Sequence, residues 1–286
     1  MTENAPSRID TLQEVLRTID IPSCPAVLVQ LRRLLGQDSA NLLEIAQVAS
    51  QDVGLSAALL KVVNSPLFGL SRKLDSLAQA VSLLGLSTVS SISAAVLLKH
   101  RLGGDGGHDL ERFWDTCGRV AVICGKLARE IGGVPRDAAY TFGLFQNAGT
   151  AVLMKRFPEY GQTLSLAADE PVRPITEIED RLHRTNHAVI GYLLTRSWGL
   201  SEQISSAVLV HHDFSIFRPD ADARAAASRR LVAIGTLATR FVNEYLRVPE
   251  ENDWSRGGKA VVDYLEMTTT ELLDLREACF EELELG

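Results

Sequence analysis

The stretch IAQVASQDVGLSAALLKVVNSPLFGLSRKLDSLAQAVSLLGLSTVSSI, residues 45–92, decides the fold class. Within it Leu55, Leu59, Leu60 and Val63 recur at the spacing that gathers apolar side chains on one face of an α-helix. Asp52 stands where it can cap that helix by accepting a free backbone N–H. Asn64-Ser65-Pro66 ends it, because residues before proline resist the helical conformation. Ser76 with Gln79 forms a capping pattern ahead of Ala80, Val81, Leu83 and Leu84, and Gly85 is placed to end that second helix.

The same signals extend outward in both directions and predict an all-α chain. Upstream, Ile9 to Ile19 has helical spacing, and Pro22 and Pro25 lead into a helix carrying Leu28, Leu31, Leu34 and Leu35 that Gly36 stops. Asn41 with Glu44 opens a short helix through Val48. Downstream, the GGDGG segment at 103–107 marks a lobe boundary, since glycine favours turns over regular structure. Beyond it the spacing predicts helices over about 110–130 and 137–157, one opened by Thr176 with Glu179, and two more over 187–198 and 201–210. A helix to about Leu246, a loop PEENDWSRGG at 249–258, and terminal helices after Lys259 and Thr268 complete the chain. The expected organisation is an N-terminal extension over 1–20, a two-lobed domain over 21–215, and C-terminal helices over 216–286 that complete or cap the second lobe.

The 286 residues are 46% hydrophobic and 23% charged, which suits a chain that folds around a sizeable core. Acidic residues outnumber basic ones by 36 to 29 and no Lys/Arg cluster exceeds a pair, so nucleic acid is not an expected partner. Cys24, Cys117, Cys124 and Cys279 form no CxxC pair; Cys117 and Cys124 fall on one helix face and read as core thiols. MTENAPSRID lacks the apolar stretch of a signal peptide and no apolar run reaches bilayer length, so the expectation is a cytoplasmic protein without a membrane span. Nucleotide-loop, hydrolase-elbow and zincin motifs (GxxxxGK[ST], GxSxG, HExxH) do not occur.

The anchors Gln51-Asp52, Leu59-Leu60, Asn64-Ser65, Phe68-Gly69, Ala80 and Leu84-Gly85 resemble the first lobe of the HDOD family, bacterial signalling domains related to HD-domain phosphohydrolases. PSCPAVLVQLRRLL upstream, FWDTCGRVAVICGKLAR, GLFQNAGTAVLMKRFPEYG and NHAVIGYLLTRSWGLSEQISSAVLVHHD downstream extend the resemblance over roughly residues 18–215. It implies a two-lobed helical bundle whose second lobe is HD-domain-like. In HD enzymes a His, an adjacent His-Asp pair and a distant Asp bind metal and activate a water. Matched position by position, the first His falls at Thr116, the pair at Gln146 and Asn147, and the last Asp at Gly235 or Thr236, none of them a good ligand. The resemblance therefore implies no catalytic residue, metal or cofactor. What it implies instead is a non-catalytic signal-transduction adaptor whose partners are sensor kinases, response regulators or cyclic-dinucleotide enzymes. Gln146 and Asn147 themselves read as a satisfied polar core pair, with ligand recognition as the lesser alternative.

His187 and the adjacent His211 and His212, followed by Asp213, are candidate pocket or ligand-binding residues. Neighbours on a helix point about 100° apart, so His211 and His212 are not expected to share a site unless the helix ends there. Histidines at a helix C-terminal turn, facing free carbonyls, are preferred to a metal site. The alternatives are an HD-type phosphohydrolase or phosphodiesterase that uses these four residues as altered ligands, or a nucleotide-sensing pocket without hydrolysis. In NSPLFGLSR, residues 64–72, Leu67, Phe68 and Leu70 are a candidate partner contact, with packing at the lobe junction as the competing account.

Overall fold

A computed structural model describes residues 19–35, 41–65, 70–102, 107–170, 172–248 and 252–285. Among these residues every regular element is helical. The first lobe comprises α1 (Ala26–Leu35), α2 (Leu42–Ala49), α3 (Val53–Val63), α4 (Leu77–Leu84) and α5 (Leu86–Leu102). The second opens with the long α6 (Gly107–Ile131) and continues through α7 (Arg136–Phe145), α8 (Ala148–Arg156), α9 (Tyr160–Ala168), α10 (Ile175–His183), α11 (His187–Ser197) and α12 (Glu202–Val210). A 3₁₀ turn (Phe214–Phe217), α13 (Ala223–Tyr245), α14 (Asn252–Leu265) and α15 (Thr269–Leu285) follow.

The caps at Asp52 and Ser76 lie where the sequence predicts them, and Ser201 caps α12 in the same way. Asp52 accepts from Leu55 N at 2.8 Å, Ser76 from Gln79 N at 3.4 Å and Ser201 from Ile204 N at 3.3 Å, each removing a free donor at a helix start. Asn64 does more than end α3: its Oδ1 accepts from Leu74 N at 2.7 Å and its Nδ2 donates to Leu74 O at 2.8 Å, which closes the connection to α4.

Two hydrophobic clusters share α6. The first joins α1–α5 to Leu110 and Trp114 of α6, Phe145 of α7, Val152 of α8 and Leu194 of α11. The second holds Ile123 and Leu127 of α6, Phe142 of α7 and Val208 of α12 against Ile234, Leu237 and Phe241 of α13, Val261 of α14 and Leu283 of α15. Residues beyond 216 thus pack on α6 and α7 themselves. Cys117 and Cys124 are both buried cysteines outside any disulfide among the described residues, the first in one cluster and the second in the other. No single helix among the described residues is long and apolar enough to cross a membrane. Helices α4 and α5 meet that test only as a pair bent by 115°, and their Ala80, Val81, Ile92 and Leu98 are buried in the first cluster.

Several expectations need correction. The helix foreseen over 137–157 is two helices, broken at Gln146 and Asn147. Thr176 does not open a capping box: Pro174 stands at that N-cap without a side-chain bond, and Glu179 points elsewhere. The loop foreseen at 249–258 is helical from Asn252, because Gly257 lets α14 lie against Phe214, whose ring would be 2.2 Å from a Cβ there. Leu70 is partly buried against the first cluster, which favours packing over partner contact for that residue. Leu67, Phe68, most of the Ile9–Ile19 helix and residues 103–106 of the glycine-rich boundary lie outside the described residues.

Candidate functional site

The break at Gln146 and Asn147 is where the site begins. It turns the chain into α8, and Gly149 on that helix meets α11 backbone to backbone. A Cβ at Gly149 would lie 2.0 Å from His187 O and 2.7 Å from Gly191 N, a clash that glycine alone avoids. This contact seats the first turn of α11, where Asn186 caps and His187 is the first helical residue. Substituting Gly149 by alanine is expected to destabilise the protein by about 1–3 kcal/mol through overpacking. At Gly161, where a Cβ meets nothing within 4 Å, alanine is expected to be neutral or to stabilise by about 0.5–1 kcal/mol. Urea melts of the two variants check the pair, and a Gly149→Ala protein as stable as the wild type would refute the close contact.

His187 is 2% exposed, and its N–H is one of the donors that a helix N-terminus leaves free. Glu179 of α10, wholly buried, takes it up: Oε2 accepts from His187 N at 3.0 Å and from His187 Nδ1–H at 2.8 Å, while Oε1 accepts from the Tyr160 hydroxyl. Burial alone would raise the pKa of Glu179, but the charge and hydrogen bonds of His187, with the bond from Tyr160, outweigh it and hold the carboxyl below its ordinary value.

The other two imidazoles come from the end of α12. His211 is its C-cap; Nδ1–H donates to Val208 O at 2.7 Å. Nδ1–H of His212 donates to Asp253 of α14, and the second oxygen of Asp253 accepts from Arg256 at 3.0 Å. Carbonyl and carboxylate oxygens only accept, so Nδ1 of each ring carries the proton, and in the neutral ring the lone pair falls on Nε2. The three Nε2 atoms converge: His212 lies 2.8 Å from His187, His187 lies 3.3 Å from His211, and all three fall within 4.8 Å of one another. Burial drives the pKa of His211 well below the ordinary imidazole value, and His212 and His187 add to it against the Val208 carbonyl. Asp253, raised by burial, is carried below its ordinary value by His212 and Arg256.

The condition under which His211 and His212 can share a site is met: the helix ends at Val210 and both rings reach His187. Asp213 takes no part in the cluster. It is exposed and caps the 3₁₀ turn, accepting from Ser215 N at 3.0 Å. Sequence reasoning missed the carboxylates that orient the rings, because Glu179 had the spacing of a capping residue and Asp253 lay in a segment read as loop.

The positions matched to HD ligands form no comparable set. Gln146 is buried and donates through Nε2 to Thr239 Oγ1 at 2.9 Å. The Asn147 side-chain carbonyl Oδ1 lies 3.2 Å from His211 Nε2, so this position borders the histidine cluster. A Cβ at Gly235 would lie 2.4 Å from the Phe142 ring and 2.8 Å from Gln146 Oε1, which leaves no space for a carboxylate. Thr116 donates its hydroxyl to Arg112 O at 3.0 Å and does not line the adjoining cavity. Two neutral amides, a glycine and a self-satisfied threonine do not fit an HD-type metal.

Beside the histidines lies a cavity of about 250 Å³ whose walls include Gln146, Asn147, His211, His212, Arg240 and Asn243. The Arg240 guanidinium sits over the Trp254 ring, 4.0 Å from its centroid, and the buried Nδ2 of Asn243 has no hydrogen-bond partner among the described residues.

With this geometry in place, comparisons add the following. A family model for the HDOD domain matches residues 21–214. An uncharacterized protein of Treponema pallidum is 27% identical over 228 residues, 79% of this chain and 44% of that relative, so the chain spans less than half of the relative's length. Among solved structures, an HDOD domain protein of unknown function from Geobacter sulfurreducens is 23% identical with a TM-score of 0.65, over 96% of this chain and 98% of that one. A Shewanella amazonensis protein that carries a provisional phosphohydrolase name is 20% identical with a TM-score of 0.67, over 96% and 97%. At these identities the two structures speak to the fold.

Proposed function

The chain belongs to the HDOD family, and from that premise we propose that it is a non-catalytic signal-transduction module that acts by contact with other signalling proteins. The observation that carries this reading is the chemistry at the HD ligand positions, where Thr116, Gln146, Asn147 and Gly235 supply no carboxylate or imidazole. HD chemistry needs a bound cation to make hydroxide near neutral pH, and these four residues do not provide for one. The proposed partners, suggested by the family resemblance, are sensor kinases, response regulators or enzymes of cyclic-dinucleotide metabolism.

A second reading, phosphate ester hydrolysis with altered ligands, is favoured by one observation, the convergence of His187, His211 and His212. Incubating the full chain with p-nitrophenyl phosphate and bis(p-nitrophenyl) phosphate, with Zn²⁺, Mn²⁺ or Fe²⁺ added, separates the two. The expected result is no turnover above that of a His211→Ala variant. Turnover that this variant abolishes would replace the adaptor reading with the enzymatic one.

A further inference from the structure

We propose that the Nε2 atoms of His187, His211 and His212 together hold one divalent transition-metal ion, on ligands other than the four positions matched to HD residues.

The first argument is geometric. A tetrahedral ion with metal–nitrogen bonds of about 2.0–2.1 Å places its ligand nitrogens about 3.3 Å apart. The His187–His211 pair is already at 3.3 Å and the His187–His212 pair at 2.8 Å. The third pair, His211–His212, lies within 4.8 Å, so ring rotations about the held Nδ1–H bonds lead from the cluster to a coordination shell.

The second argument is electrostatic. Each Nδ1–H is engaged by an acceptor, so in the neutral rings the three Nε2 lone pairs face one another beside the buried His187 and His211, two of them at 2.8 Å. Lone pairs so arranged repel unless a proton or a cation stands between them. One shared proton serves a single pair; one metal ion serves all three.

The third argument lies in what surrounds the rings. Glu179 behind His187, itself bonded by Tyr160, and Asp253 behind His212, itself bonded by Arg256, reproduce the carboxylate–imidazole–metal relay that fixes ring orientation and raises ligand basicity. The Val208 carbonyl does the same for His211.

A neutral all-imidazole set selects borderline ions such as Zn²⁺, Co²⁺ or Fe²⁺ over Mg²⁺ and Ca²⁺, which prefer oxygen. His211 and His212 border the cavity that also presents Arg240 and the unpartnered Asn243 amide, so a water or a small anion can complete the coordination. Occupancy would tie α11 to the end of α12 and, through Asp253, to α14. Nothing in this inference rests on the adaptor reading.

The test uses the full chain, tag removed, stripped with chelator and titrated with Co²⁺ while visible absorption is recorded, with Zn²⁺ uptake counted by elemental mass spectrometry. One ion per chain is expected, with Co²⁺ bands typical of low coordination number. His187→Ala and His211→Ala should abolish uptake, Asp253→Asn should weaken it about 10–100-fold, and His100→Ala, an exposed first-lobe control, should leave it unchanged. Circular dichroism confirms folding, and the milder Asp253→Asn decides the matter if an alanine variant does not fold. No uptake by the wild type, or undiminished affinity in the folded variants, would overturn the proposal and leave the adaptor reading standing. Uptake together with ester hydrolysis would sustain the metal site and remove the adaptor.

Discussion

Replacing Trp198 by alanine is expected to lower stability by about 3–5 kcal/mol, the range for deleting a large aromatic side chain from a core. Trp198 caps the C-terminus of α11 and is wholly buried in the first cluster. Its Nε1–H donates to Pro22 O at 2.6 Å, and its own carbonyl accepts from Arg32 of α1 at 3.0 Å. One residue of the second lobe thus holds both the segment that enters α1 and α1 itself. The alanine variant leaves a cavity and strands the Pro22 carbonyl; Trp198→Phe keeps most of the packing and loses the hydrogen bond, at a smaller cost of about 1–3 kcal/mol. Urea denaturation of both variants, with comparison of their slopes, measures this. A loss below about 1 kcal/mol for the alanine variant would mean that other contacts fasten the first lobe, since a buried tryptophan alone exceeds that figure.

What the sequence disclosed and what it hid divide along a physical line. The caps at Asp52 and Ser76 were readable because each is a side chain reaching a backbone N–H three residues away, an interaction contained in a few positions. The break before α8 was not, because a contact between Gly149 and the backbone of α11 makes it, and His187 lies far along the chain. The glycine was visible, its neighbour was not. Asp253 and Trp254 were hidden for the same reason: a polar, glycine-bearing segment reads as loop until Phe214 and His212 stand opposite it. At the site, the three histidines were picked out, but their convergence depends on where α12 stops and how α11 turns into it. Glu179 misled because its spacing from Thr176 satisfied a local rule that a tertiary partnership with His187 overrides. Local chemistry predicts termini; long-range packing decides which side chains meet.

That partnership makes Glu179→Ala the substitution with the largest expected effect at the site. Removing the acceptor of a buried hydrogen-bond network costs about 1–3 kcal/mol for each donor that it leaves desolvated and unpaired. Here three donors are stranded at once: the Tyr160 hydroxyl, His187 Nδ1–H and His187 N–H. Glu179→Gln is the informative companion. It has nearly the same shape, its amide oxygen can accept both bonds from His187, and its amide nitrogen can donate to the Tyr160 oxygen, so what it lacks is the negative charge. A loss of about 1 kcal/mol is expected for Gln against the larger one for Ala. Melts run in chelator isolate this effect; melts with excess Zn²⁺ then ask whether the carboxylate also serves the ion. If the tri-histidine site binds, saturating Zn²⁺ at 100 times Kd stabilises the wild type by about 2.7 kcal/mol, and Glu179→Gln by less, since the ring behind the metal has lost its basic partner. Equal stabilisation of both would confine Glu179 to holding the first turn of α11, whereas a smaller gain in the variant would make it the residue that joins the fold of α10 and α11 to the chemistry of the site.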